Sequence, residues 1–215
     1  MANRFRTGIL FGLICLFYLL TEPYLAAEIS AVFKIIPILF LCQLTLRSGT
    51  SSFSMHLLAA LLFSMGGDVL LEIGFFIPGL VSFLFAQLLY GSLFLRYHSD
   101  WRNRPAVSLA IIGFSVVVGI FMWGYAGDMR IPVLAYLVVI AVMGLSANTS
   151  HIRGATLGAA IFIFSDSIIA VDRFVLPIPA SDWLIMVSYY LAQYCLVSSV
   201  VRYKTSERPG KRVPT

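Results

Sequence analysis

Charge is what this sequence has least of. Only 12% of its 215 residues are Asp, Glu, Lys or Arg, about half the share of an average soluble domain, while 60% are apolar. No polar stretch is long enough for a separate soluble domain, so the composition describes an integral membrane protein. Cysteine and histidine are sparse too. Cys15, Cys42 and Cys195 fall inside apolar segments at no metal-ligand spacing, which argues against a disulfide framework or a zinc cluster and makes them small buried hydrophobes. His56, His98 and His151 lie away from the buried acids, so no His-ligated catalytic zinc, and no cofactor, is expected. Gly66-Gly67 has no P-loop or dinucleotide pattern around it and reads as a close helix contact. Ser165 lacks a Gly-x-Ser-x-Gly setting and an apparent His partner, which argues against a serine-hydrolase triad.

What is present is a series of eight apolar segments, each near the roughly 20 residues that a helix needs to cross the hydrocarbon core. They cover about 8–27, 31–46, 55–73, 76–97, 106–124, 131–148, 154–172 and 183–202. The second is short, and Pro37 is placed to kink it. Residues 1–203 thus predict an all-α, eight-helix transmembrane domain, and 204–215 a disordered, basic cytoplasmic tail. The tail suits anionic lipid rather than nucleic acid. Arg residues precede the first segment as in a signal peptide, but it lacks a clear small-x-small cleavage site and is kept as a helix.

The distribution of basic residues gives the orientation. Arg4, Arg6, Arg47, Arg96, Arg102, Arg104, Arg153, Arg202, Lys204, Arg208, Lys211 and Arg212 fall at the N-terminus and on every second connection thereafter. The other connections hold Arg130 and Arg173 beside Glu22, Glu28, Glu72, Asp128, Asp172 and Asp182. The positive-inside rule then puts both termini in the cytoplasm, with a bacterial inner membrane the expected location. Tyr18, Tyr24, Trp101, Trp123, Tyr125 and Trp183 sit near span ends, as interfacial anchors do.

Two acids break this pattern by lying deep inside apolar runs: Asp68 and Asp166. A carboxyl at membrane depth costs at least a few kcal/mol and faces a partner or a wet cavity. From the expected spans, Asp68 lies roughly 6–8 Å below the outer end of its helix, Asp166 roughly 9 Å, and Lys34 roughly 6 Å. An Asp can simply join helices through hydrogen bonds, and a Lys can snorkel to the interface. The functional reading is preferred for the aspartates because both are charged, similarly deep and helix-embedded. The fourth and eighth segments also resemble each other. Ser82, Ala86-Gln87 and Arg96-Tyr97 recur at the same spacing as Ser188, Ala192-Gln193 and Arg202-Tyr203. A parallel 4+4 repeat would bring Asp68 and Asp166 together across a central pocket.

These residues also carry a family resemblance. Gly66-Gly67-Asp68-Val69-Leu70-Leu71 followed by Phe83-x-x-Ala86-Gln87-x-x-Tyr90 resembles the corresponding stretch of the YhhN-like lysoplasmalogenases. Lys34-x-x-Pro37, Pro132-Val133-x-x-Tyr136, Gly158-Ala159-x-x-Phe162-x-x-Ser165-Asp166-Ser167 and Tyr189-Tyr190-x-Ala192-Gln193 are similar to its other landmarks, in order over nearly the whole chain. One departure is that many members carry His where this chain has Gln87. The resemblance implies a multi-pass ether hydrolase acting on a lysophospholipid among membrane lipids. It would cleave the vinyl ether of a lysoplasmalogen to a fatty aldehyde and glycerophosphoethanolamine or glycerophosphocholine.

Vinyl ethers hydrolyse by protonation of the alkenyl carbon, capture of the oxocarbenium ion by water, and collapse of the hemiacetal. Two carboxyls in different environments can divide the roles of acid and anion. Asp68 and Asp166 are therefore the expected catalytic pair, with the choice of acid left open. Lys34 would hold one carboxyl ionised or bind the phosphate. Gln87, Tyr90, Tyr190 and Gln193 would orient water or a glycerol hydroxyl, with Tyr136 and Ser165 as further landmarks of the site. Glu72 is placed to meet a substrate ammonium or to sit at the interface, and Arg173 to meet a phosphate or to pair with Asp172 in an exposed loop. Intramembrane acids and parallel repeats suit a proton-coupled small-molecule or lipid transporter as well. Oligomeric state leaves no mark in the sequence.

Overall fold

The computed structural model describes residues 2–98 and 104–206, with the side chains of residues 2–4 excepted. Among the described residues there are eight α-helices: α1 (Ala2–Thr21), α2 (Ala27–Arg47), α3 (Ser52–Glu72), α4 (Phe76–Leu95), α5 (Pro105–Tyr125), α6 (Arg130–Asn148), α7 (Ala155–Phe174) and α8 (Ser181–Ser206). All eight are long and apolar enough to cross a membrane, and the protein is an integral multi-pass membrane protein. The connections are short, so neighbours in sequence run antiparallel. One end of the bundle carries Glu22, Glu28, Glu72, Asp128, Asp172 and Asp182, and the other carries most of the arginines. They are called the acidic and basic ends below.

Several expected boundaries move. The first segment ends at Thr21 rather than residue 27, because Pro23 turns Glu22–Tyr24 into a short 3-10 helix. That frees Ala27 to open α2, which is a full 21 residues and runs continuously through Pro37. Lys34 consequently lies about 10 Å into its helix rather than 6 Å. At the far end, α8 continues to Ser206, and the remaining tail lies outside the described residues, as do Trp101 and Arg102.

The tightest packing pairs α3 with α4 and α7 with α8, and α6 lies against α4, α5 and α7. Without water to expel, helices in lipid associate through close van der Waals contact and buried polar links. Gly67 supplies both the space and the reason for it: a Cβ there would stand 2.5 Å from the Phe83 ring of α4. Beside it, the Ser82 hydroxyl donates to the Phe63 carbonyl at 2.6 Å. The α3–α4 link is equally tight. Gly74 adopts φ +87°, while the Phe75 and Gly74 amides return to the Leu70 and Leu71 carbonyls. This is the Schellman arrangement that a glycine beyond the helix end permits. It turns the chain sharply and keeps Glu72 close to Phe76.

Helix α5 contributes little to the interior. Only Ile111 and Met122 of its residues are buried, and Leu109, Val117 and Ile120 face outward as lipid-contacting side chains do. Of the expected interfacial anchors, Tyr24, Trp123 and Tyr125 are exposed, and Arg130 lies over the Trp123 ring at 5.4 Å. Tyr18 is not an anchor: it is 2% exposed and meets Tyr190 edge-on in the interior. Cys15 and Cys42 are buried, Cys195 is half-buried, and all three are free thiols.

Candidate active site

The interior of the bundle holds two hydrogen-bonded relays, each ending on a carboxylate. In the first, the Gln87 side-chain amide of α4 donates to the Tyr136 hydroxyl of α6 at 3.4 Å. Tyr136 in turn donates to Asp166 of α7. In the second, the Tyr90 hydroxyl of α4 donates to Gln193 of α8 at 2.6 Å, and Gln193 donates to Tyr189 at 3.2 Å. The Tyr189 hydroxyl then donates to Asp68 of α3 at 2.8 Å. Both glutamines are fully buried. Each aspartate thus receives the hydroxyl of a tyrosine whose oxygen is itself oriented by a glutamine amide. The two acids lie within electrostatic reach of each other, and Asp68 within reach of Lys34.

Lys34 supplies the neighbouring cation. Its Nζ makes an ion pair with Glu72 at 2.8 Å, the two side chains being 14% and 16% exposed. Charges that enter apolar surroundings pair with one another, and this pair ties α2 to α3 one turn from Asp68. The Lys34 backbone participates as well: its carbonyl, in the turn that Pro37 disrupts, accepts the Tyr190 hydroxyl at 2.8 Å. Tyr190 is therefore a fastener between α8 and α2.

Two cavities reach this region. A polar cleft of about 310 Å³ opens at the acidic end, lined by Lys34, Glu72, Glu22, Asp182 and Arg173 among others. An apolar crevice of about 50 Å³ lies between α3, α4, α6 and α7, lined by Leu80, Phe83, Val133, Tyr136 and Asp166. Leu71, Phe76 and Ile169 line both. Asp68 is 3% exposed and lines neither of them; it sits beside Lys34 and behind Tyr189.

The remaining candidates make contacts of their own. The Ser165 hydroxyl donates to the Ile185 carbonyl at 3.0 Å and joins α7 to α8. Asp172 and Arg173 are not a loop pair, because α7 extends through Phe174. Asp172 accepts the Ile178 amide at 2.7 Å and organises the link to α8, while the Arg173 guanidinium lies 3.9 Å from the Phe76 ring centre. Sequence reasoning passed over Tyr189 as a contact to Asp68, although its spacing of four residues from Gln193 puts both on one helix face. It also passed over Glu22, Asp182 and Trp183 in the cleft, which the chain brings together from two distant connections. Among the described residues, no three His, Cys, Asp or Glu side chains gather as a metal site requires.

The ordered landmarks and this buried core agree with a family comparison: the model of the YhhN family matches residues 29–200. The chain belongs to the YhhN family. Among relatives of this YhhN protein, lysoplasmalogenase TMEM86A of Bos taurus is 30% identical over 207 residues, covering 87% of this chain and 85% of the relative. Human lysoplasmalogenase TMEM86B is 31% identical over 179 residues, covering 80% and 76%. A lysoplasmalogenase of Mycobacterium bovis is 31% identical over 153 residues, covering 66% and 59%. No solved structure matches the chain.

Proposed function

We propose that this YhhN protein is a lysoplasmalogenase that hydrolyses the vinyl ether of an alkenyl-glycerophospholipid, with Asp166 as the acid that protonates carbon. The observation that carries the reading is that Asp166 lines an apolar crevice whose wall of Leu71, Phe76 and Ile169 is shared with a polar cleft. The substrate has the same division, with an alkenyl chain on one side of the ether oxygen and a glycerophosphate on the other.

In this reading the vinyl ether end of the alkenyl chain meets the crevice while the rest of the chain runs on into lipid, and the head group occupies the cleft, where Lys34 and Arg173 offer cations to the phosphate. Tyr136 donates to one Asp166 oxygen, Oδ2, and the proton resides on the other. Transfer of that proton to the distal alkenyl carbon leaves an oxocarbenium ion and an Asp166 carboxylate. Asp68, held by Tyr189 and Lys34, stays anionic and stabilises the cation from behind. Water adds to the cationic carbon and gives its proton to Asp166, forming a hemiacetal. The hemiacetal collapses as its hydroxyl proton is lost and the glycerol oxygen gains one, which releases aldehyde and glycerophosphodiester. Electrostatic stabilisation by groups already in place is the largest contribution such a site can make.

The positive-inside distribution supports placing both termini in the cytoplasm and the cleft on the opposite side. The helix packing supports the 4+4 repeat. The contacts of α1 with α2, α2 with α3, α3 with α4 and α4 with α6 recur as those of α5 with α6, α6 with α7, α7 with α8 and α8 with α2.

The test is aldehyde release from a lysoplasmalogen by detergent-purified protein in heavy water, beside the saturated ether analogue. The expected result is cleavage of the vinyl ether alone, with one deuterium at the carbon next to the aldehyde. Asp166→Asn should abolish it while the protein stays folded. Unaltered turnover in Asp166→Asn would remove this residue from the chemistry. Absence of release by folded wild-type protein would defeat the activity and favour a transport assay in proteoliposomes.

A further inference from the structure

The basic end holds a cavity of its own, of about 360 Å³, lined by His151, Arg153, Ser199, Arg202, Tyr203 and Ser206. It lies at the opposite end of α7 and α8 from the cleft, about 30 Å away along a 20-residue helix. Arg153 and Ser199 of its wall flank the start of α7, where the Ala155 amide donates to the Ile152 carbonyl at 3.1 Å and the helix dipole presents its positive end. The capping position is Gly154, which provides no side-chain acceptor.

Three further observations converge there. A Cβ on Gly154 would stand 2.6 Å from the Ser199 hydroxyl and 3.9 Å from a terminal nitrogen of Arg202. Ser199 of α8 therefore reaches across to the place an N-cap side chain would occupy. Its residue is 2% exposed, and its hydroxyl has no hydrogen-bond partner among the described residues. Finally, Arg153 and Arg202 bring two cations to a helix end where cations are unfavourable. The described acids, Glu22, Glu28, Asp68, Glu72, Asp128, Asp166, Asp172 and Asp182, all lie in or toward the other end. A buried unpaired hydroxyl, the positive end of a helix dipole and two cations that meet no carboxylate among the described residues share one requirement, an anion.

We propose that the cavity beside the N-terminal end of α7 seats a phosphate group, held by the Ser199 hydroxyl, Arg153 and Arg202 in the field of the helix dipole, with Tyr203 as a side wall. The phosphate belongs either to a lipid head group at this face of the membrane or to a soluble phosphorylated molecule. Nothing in the site depends on the proposed hydrolysis, and its test reads binding rather than turnover.

Thermal unfolding of wild-type protein, Ser199→Ala and the double variant Arg153→Gln/Arg202→Gln would be followed in two settings. One is neutral detergent with inorganic phosphate titrated against chloride at constant ionic strength. The other is nanodiscs of phosphatidylcholine with or without phosphatidic acid. The expected result is a saturable rise in Tm for wild type that chloride does not reproduce, at least halved in Ser199→Ala and lost in the double variant. A rise with inorganic phosphate assigns the seat to soluble anions, and a rise only with phosphatidic acid assigns it to a lipid. No rise in either setting overturns the proposal, as does a rise equal in wild type and Ser199→Ala. Ser199→Ala removes only an unpartnered hydroxyl, so it decides the matter even if the double variant does not fold.

Discussion

Tyr136 and Tyr189 each give their one proton to an aspartate and take an amide hydrogen from a glutamine, so a single oxygen atom separates each relay from its carboxyl. Replacing either by Phe keeps the ring and its packing and deletes that oxygen. A hydrogen bond to a charged group contributes about 1.5–3 kcal/mol, so Tyr136→Phe and Tyr189→Phe should each lower kcat by roughly 10- to 100-fold. Circular dichroism and Tm should show the fold intact; undiminished kcat in both would exclude the relays from catalysis. At this scale the sequence was only half legible. Asp68, Asp166 and Lys34 announce themselves because charge inside an apolar run is costly wherever it points. Tyr189 does not, because a tyrosine in such a run is equally at home as packing. The different fates of Tyr189 and Tyr190, one meeting a carboxylate and the other a backbone carbonyl, depend on a rotation of α8 that no composition encodes.

Among the helices, the α3–α4 pair is the most sharply testable. The Phe83 ring occupies the space that any side chain at position 67 would need, and it also packs edge-on against Tyr189 with centroids 5.9 Å apart. Gly67→Ala should therefore destabilise the protein by about 1–3 kcal/mol, the usual cost of overfilling a packed interior. It should also disturb Asp68 through Tyr189. Adding Phe83→Leu should restore part of the lost Tm in a detergent melt, whereas no loss in Gly67→Ala would mean that the helices do not approach so closely. Eight helices were legible from hydropathy because each must satisfy its backbone within lipid. Their ends were less so. Asp172 and Arg173 look like loop residues by charge, yet helix geometry carries them to the rim of the cleft. Pro23, rather than hydropathy, decides where α1 stops.

For the molecule as a whole, the separation of an acidic end from a basic end makes orientation measurable. Single cysteines at Asp128 and at Ser48, introduced into a protein with Cys15, Cys42 and Cys195 replaced by Ala, should label from opposite sides of sealed cells with a membrane-impermeant thiol reagent. Outside labelling is expected at Asp128 and none at Ser48; the reverse would invert the topology and put the polar cleft in the cytoplasm. The charge asymmetry itself was readable from the order of residues, since it needs only alternation along the chain. The cavities were not, because each is assembled from connections and helices far apart in sequence.

The wall common to cleft and crevice, built from Leu71, Phe76 and Ile169, has a consequence for the fate of what is made there. It is a boundary between two solvents inside one protein. After the proposed cleavage, the fatty aldehyde and the glycerophosphodiester stand on opposite sides of it, each soluble only in the phase that the other avoids. On the proposed reaction the bilayer around the protein is a product sink as well as a support, and turnover should depend on how much lipid is available to take the aldehyde away.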